Sequence, residues 1–205
     1  MKQRYYFAYG SNLNYEDWDR KFRNGPRYWD TFRPIGPAWL PDVRGAFAME
    51  SSSRGGGVLD LQPRCGSAVP GMLYDVSEAG WKALEAKEGA STAYRRIKCI
   101  ALNEQGAEFP ALTYVVRPER RRDFVRPSNT YREVVTDGLE QNELDFDHVL
   151  RAARNEPSDS GPGQLFVYDR LMRLEVDHDL LVAHGLESAL LAEAEQSPPG
   201  ANGLI

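Results

Sequence analysis

The pattern of apolar and polar positions opens with Arg4 to Tyr9, a short aromatic run followed by Gly10-Ser11-Asn12, which predicts a strand running into a tight turn. Asn14 is placed to cap a helix from Tyr15 to about Arg23, with Trp18 and Phe22 on one face and Glu16, Asp17 and Asp19 in its early turns, where the helix dipole favours negative charge. Residues 32–63 carry short apolar pieces, Phe32 to Leu40, Val43 to Met49 and Val58 to Leu61, broken by Pro and Gly, so strands and loops are expected there. The run Ser51 to Gly57 is expected to be a flexible loop. Ala68 to Val76 predicts a buried strand, and Ser77 starts a helix over Glu78 to Lys87 that Gly89 should end.

Tyr94 to Leu102 and Ala107 to Val116 predict a hairpin about Asn103 to Gly106, since both flanks are rich in β-branched and aromatic residues. Arg117 to Pro127 holds five arginines. It reads either as a site for phosphate or an acidic partner or as a solvated connector whose Glu119 and Asp123 pair with its own arginines; the second is preferred. Ser128 to Gln141 predicts a helix with Tyr131, Val134 and Val135 inward, and Phe146 to Ala153 another. Beyond, Asn155 to Gly163 has linker composition and Ser197 to Gly203 is rich in Pro and Gly. The organisation expected is one domain over 1–154 and a linker with an extension over 155–205, too short for its own core and expected to dock on the main domain or on another subunit. That leaves a homodimer open.

Composition narrows the function classes. The 205 residues are 41% hydrophobic and 27% charged, with a mean hydropathy of -0.54, an ordinary soluble composition. No stretch reaches the roughly 18 apolar residues of a membrane span, and Met1 to Arg4 leads into Tyr5 without a signal-like apolar region, so a cytoplasmic protein without membrane partners is expected. Of the 25 basic and 30 acidic residues, residues 151–205 hold four and nine, which leaves 21 of each in residues 1–150. The first 150 residues are therefore neutral, which argues against a nucleic-acid partner. Cys65 and Cys99 are expected to be reduced, and no spacing suits a metal.

The chain has no GxSxG elbow, phosphate loop, HExxH, GxGxxG or CxxC, and its three histidines, His148, His178 and His184, all lie late. Carboxylates and backbone remain. The turn Tyr9-Gly10-Ser11-Asn12-Leu13 can aim successive N–H groups at a carboxylate or oxyanion, or be a plain strand-to-helix connection. Glu88, at the end of its helix before Gly89, is either a proton-exchanging carboxyl, since the dipole there disfavours its negative charge, or a surface residue before a capping glycine.

Together these features resemble the γ-glutamylcyclotransferases. Tyr6-Phe7-Ala8-Tyr9-Gly10-Ser11-Asn12-Leu13 resembles that family's YFAYGSNL opening, and Gly55-Gly56-Gly57-Val58 its glycine-rich loop. Pro70 to Tyr74 resembles its G-x-x-Y strand, Leu84 to Gly89 followed by Tyr94 its L-D-x-x-E-G and Tyr, and Pro127 to Tyr131 its P-S-x-x-Y. The resemblance implies an α+β fold with a small, mixed, barrel-like β-sheet and flanking helices. It also implies cyclisation of a γ-glutamyl amine or peptide to 5-oxoproline, with release of the free amine and no cofactor or metal. Glu88 would be the general acid/base; Tyr6, Phe7, Ala8, Tyr9, Gly10, Ser11 and Asn12 would bind the glutamyl part, and Tyr131 would close the cleft. The acceptor half would be met by loops such as Arg27 to Pro41 and Arg117 to Pro127.

Glu85 stands where the family has Asp. Leu165 to Met172 looks like the start of a second such unit, with Asp169-Arg170 in place of the glycine turn. The competing functions are a non-catalytic sensor of a γ-glutamyl or other carboxylate metabolite and, from the arginines, a phosphate or RNA binder.

Overall fold

A computed structural model describes residues 5–88 and 92–155. The expected helix stop at Gly89, the docked extension and the Leu165 to Met172 likeness lie outside these residues. Five strands close a barrel in the order β1-β3-β2-β4-β5: β1 (Tyr5–Ala8), β2 (Phe32–Ser51), β3 (Gly56–Val76), β4 (Tyr94–Leu102) and β5 (Glu108–Val116). Neighbours are antiparallel except β1 and β5, which pair in parallel with Tyr5 opposite Ala111. The sheet is thus mixed and has no open edge, as the α+β barrel-like reading requires.

The broken apolar pieces of residues 32–63 are not separate strands. They belong to two strands of 20 and 21 residues that pair along nearly their whole length, with register shifts at Pro34/Gly36, Pro41/Val43 and Phe47/Met49. Proline cannot donate to a ladder, so bulges at two of its positions let the strand continue where sequence punctuation suggested an end. Ser51 to Gly57 is likewise a tight connection, a 3-10 turn over Ser52–Arg54 closed by Gly55 in the left-handed region. Gly57 follows because a side chain cannot: a Cβ there would lie 2.0 Å from the Val125 carbonyl oxygen. Its N–H donates to the Arg126 carbonyl at 2.9 Å, which seats residues 125–128 against the hairpin tip.

Two of the five arginines of the arginine-rich segment are held by acids outside it, not by Glu119 or Asp123. Arg121 donates through Nε to Asp60 at 2.8 Å, and Arg122 meets Glu50 at 3.1 Å. Asp60 is fully buried and also accepts from the Val116 N–H. A buried carboxylate needs a cation and donors, and it draws Arg121 inward. Burial still raises the Asp60 carboxyl to about 6, with Arg121 and the Val116 N–H opposing.

Helices α1 (Tyr15–Lys21), α2 (Tyr28–Thr31), α3 (Glu78–Glu88), α4 (Asn129–Glu140) and α5 (Asp147–Ala153) lie outside the barrel. Asn14 caps α1, its Oδ1 accepting from Asp17 N–H at 2.9 Å. Trp18, Tyr28, Phe32 and Tyr74 form one fully buried aromatic cluster, each side chain worth about 2 kcal/mol of burial. Cys65 is exposed, Cys99 is buried, and they are not joined. No helix among the described residues is long and apolar enough to cross a membrane.

His148 of α5 is fully buried, and burial lowers its imidazole to about 4. Between that value and the unfolded value near 6.5, the unfolded chain binds the extra proton, so stability falls as pH falls through this window. The loss of urea midpoint between pH 7 and pH 5 is expected to be smaller in His148→Leu than in the unaltered protein; equal losses would show that His148 takes up its proton alike in the folded and unfolded chain, and so is not held neutral by burial.

Candidate active site

One pocket gathers Tyr6, Tyr9, Gly10, Ser11, Asn12, Leu59, Glu88, Tyr94, Tyr114 and Tyr131. Its floor is the turn after β1. A 3-10 turn over Ser11–Leu13 follows Gly10, with Leu13 N–H donating to the Gly10 carbonyl at 2.9 Å and Asn14 N–H to the Ser11 carbonyl at 3.3 Å. The N–H groups of Ser11 and Asn12 precede the first donor of such a turn, and they have no partner among the described residues. The turn is anchored from behind. Tyr28 OH lies 3.1 Å from the Asn12 carbonyl and 2.8 Å from Tyr74 OH, Tyr74 OH donates to Asn142 at 3.1 Å, and Asn142 Nδ2 donates back to the Leu13 carbonyl at 3.1 Å. Gly71 allows β1 to lie this close, since a Cβ there would sit 2.2 Å from the Ala8 carbonyl oxygen.

Glu88 enters from the end of α3. The buried positions Gly80, Ala83 and Leu84 define one face of this helix, and spacing of three and four carries that face on to Lys87 and Glu88. Asn12 Nδ2 lies 2.7 Å from Glu88 Oε1 and 2.7 Å from Tyr6 OH, so one amide bridges carboxylate and phenol. Burial raises the Glu88 carboxyl above its usual range, opposed by Lys87, the Asn12 hydrogen bond, Lys21 and Arg54. Burial and the Glu88 charge push the Tyr6 hydroxyl well up, and burial takes Tyr114 and Tyr131 to about 12. All three phenols are neutral donors at neutral pH. Among the described residues no group of three or more His, Cys, Asp or Glu is placed to hold a metal ion.

Tyr131 reaches the pocket because of its cap. Ser128 Oγ accepts from Tyr131 N–H at 3.2 Å and donates to the Arg54 carbonyl at 2.5 Å, tying the start of α4 to the hairpin tip. This is the physical content of Pro-Ser-x-x-Tyr: a start signal, a cap, and an aromatic one turn later. The Arg54 guanidinium lies 5.3 Å from the Tyr131 ring centre.

Of the residues singled out from sequence, Tyr6, Tyr9, Gly10, Ser11, Asn12, Glu88 and Tyr131 meet at the pocket, whereas Phe7 and Ala8 do not line it. Those two are fully buried and pair in the ladder with Leu73 and Met72. Neither 27–41 nor 117–127 supplies a lining residue. Tyr94 and Leu59 line it without having been singled out as site residues, and Tyr114 does so although its aromatic strand pattern is equally that of a core residue. Glu85 is exposed and bonded to Arg96 at 2.8 Å, and the side chain that bonds Glu88 is Asn12.

The family described as gamma-glutamyl cyclotransferase, AIG2-like, matches residues 6–133. A solved "Gamma-glutamyl cyclotransferase" is similar at 21% identity and a TM-score of 0.63, over 82% of this chain and 98% of that one. An uncharacterized Homo sapiens protein is similar at 22% identity and 0.62, over 83% and 98%. YkqA from Bacillus subtilis gives 22% and 0.62 over 75% of this chain and 54% of its own. At such identities the likeness is one of fold. No curated protein matches the chain with significance.

Ser128→Ala removes both the cap of α4 and the bond to Arg54. A stability loss of about 1 to 2 kcal/mol is expected, read from urea unfolding; an unchanged midpoint would show that the cap is not holding Tyr131.

Proposed function

We propose that this chain, which belongs to the gamma-glutamyl cyclotransferase, AIG2-like family, cyclises a γ-glutamyl amine or peptide to 5-oxoproline and releases the free amine. The observation that carries the reading is the part-buried Glu88 carboxylate, bonded to Asn12 and sharing a pocket with a turn whose leading N–H groups have no partner among the described residues. The glutamyl α-carboxylate and the γ-carbonyl oxygen would be met by those N–H groups and by the neutral phenols. Glu88 takes a proton from the α-ammonium, and the amine attacks the γ-carbonyl carbon. A five-membered ring closes, and its oxyanion is held by donors fixed beforehand. Glu88 then returns the proton to the leaving nitrogen as the original amide C–N bond breaks, and the second proton of the ring nitrogen passes by the same carboxylate to the released amine, which leaves as an ammonium. The nucleophile is part of the substrate, so positioning supplies much of the rate and no covalent enzyme intermediate is needed. Residues 1–154 would form the catalytic domain, in the cytoplasm and without a nucleic-acid or membrane partner.

Glu88→Gln keeps the size of the side chain and its bond to Asn12. Turnover of a panel of γ-glutamyl dipeptides and γ-glutamylamines, read as 5-oxoproline by mass, is expected to fall at least about a hundredfold with unfolding unchanged; a folded variant of near-full activity would refute the shuttle. If panel members bind the unaltered protein and none is turned over, the sensor reading takes its place.

The pH dependence has a definite sign. Glu88 must be ionised to accept the ammonium proton, and its carboxyl is raised by burial. Substrate-limited turnover therefore falls as pH drops through a midpoint above the ordinary glutamate value, and a midpoint at or below that value would exclude Glu88 as the base.

A further inference from the structure

The leaving half of the substrate has no partner in the steps above, and no cationic side chain among the described residues lines the pocket. Gly10, Ser11, Glu88 and Tyr94 are the part-exposed lining residues and mark the pocket mouth. One step further along the two elements that carry Glu88 and Tyr94, Glu85 of α3 meets Arg96 of β4, with Nη1 2.8 Å from Oε1. Glu85 lies one helical turn before Glu88 on the same side of α3, and Arg96 lies two residues after Tyr94 on the same face of β4. In the β4–β5 register Arg96 stands directly opposite Tyr114, which lines the pocket, and opposed positions share a sheet face. Its guanidinium carbon is 5.7 Å from the centre of the Trp81 ring, and that ring packs edge-on against Tyr6 of the pocket at 5.9 Å. Arg96 is thus fixed beside the α3–β4 side of the mouth, with 38% of its side chain exposed.

We propose that Arg96 is a specificity-determining residue: it binds the free carboxylate of an α-amino acid that leaves as the amine, so that γ-glutamyl α-amino acids are used in preference to plain or amidated amines. The inference rests on the proposed cyclisation and deepens it. Another guanidinium, that of Arg54, also lies near a pocket ring, but Asp17 takes both its terminal nitrogens at 2.7 and 2.6 Å. Arg96 instead gives one nitrogen to a Glu85 side chain that is 48% exposed. Such a surface pair contributes little and exchanges readily for another carboxylate. The distances suit a single leaving residue. With the leaving nitrogen at Glu88, the carboxylate carbon of an amino acid is two bonds away, about 2.5 Å, while Glu85 marks a point about 4.5 Å back along α3. A guanidinium takes a carboxylate in a planar fork, and the Trp81 ring holds that plane in place beforehand. An amine without an acid group leaves Arg96 on Glu85 and gains nothing there.

γ-Glutamylalanine and γ-glutamylalaninamide differ only in that carboxylate. In the unaltered full chain, kcat/KM is expected to favour the acid by at least about tenfold, with the difference carried in KM. In Arg96→Met the preference is expected to fall to near unity and in Arg96→Lys to persist in part, whereas Glu85→Gln, which removes the competing anion, widens it. Calorimetric binding of the same two ligands to Glu88→Gln should show the same order and lose it when Arg96→Met is added. Equal use of acid and amide by the unaltered protein, or a preference that survives Arg96→Met, overturns the inference. Should Arg96→Met not fold, a preference in Glu85→Gln no wider than in the unaltered protein overturns it equally. Binding that favours the acid through Arg96 without any 5-oxoproline overturns the reaction and leaves Arg96 in its role, whereas binding of neither ligand overturns both.

Discussion

Enclosing a carboxylate among phenol rings is the constraint on which this structure turns. Burial raises the Glu88 carboxyl, and a group left wholly without support would stay protonated and be unable to accept a proton at neutral pH. Two kinds of support are present, a hydrogen bond from Asn12 at 2.7 Å and the charges of Lys87, Lys21 and Arg54. Each comes from a different element, so the acidity of one residue depends on how the turn after β1, the hairpin tip, α1 and α3 are assembled.

Much of the barrel is arranged to bring those elements to one place. Gly71 lets β1 lie against β3, and Gly57 lets the chain at 125–128 lie against the β2–β3 turn. Ser128 then fastens that turn to the start of α4. Asp60 and Arg121 do similar work at the other edge, where a fully buried carboxylate draws the arginine-rich segment onto the barrel.

The sequence makes the short elements legible and the long ones not. Asn14 before Tyr15, Ser128 before the Val134 and Val135 face, and the Asn103 to Gly106 turn are local signals read by local chemistry, and they mark α1, α4 and the β4–β5 hairpin. The two long strands were hidden because Pro34, Pro37 and Pro41 read as breaks, whereas bulges absorb two of them. The site was partly legible: the Tyr-Gly-Ser-Asn turn and Glu88 stand out as motifs, and the fold brings them within 2.7 Å across 76 residues. Tyr94 and Tyr114 carry no local signal that separates a pocket phenol from a core one, and the ties of Asp17 to Arg54 and Lys87 span 37 and 70 residues of sequence that no periodicity connects.

The central claim is that the pocket closes a ring within its substrate and does not admit water to the reacting carbon. The most direct measurement is turnover of a γ-glutamyl amine, labelled with nitrogen-15 at the α-amine, in water enriched in oxygen-18. The account predicts 5-oxoproline that keeps the nitrogen-15 in its ring and gains no oxygen-18, together with one equivalent of free amine. Glutamate carrying oxygen-18 would mean hydrolysis and would contradict it.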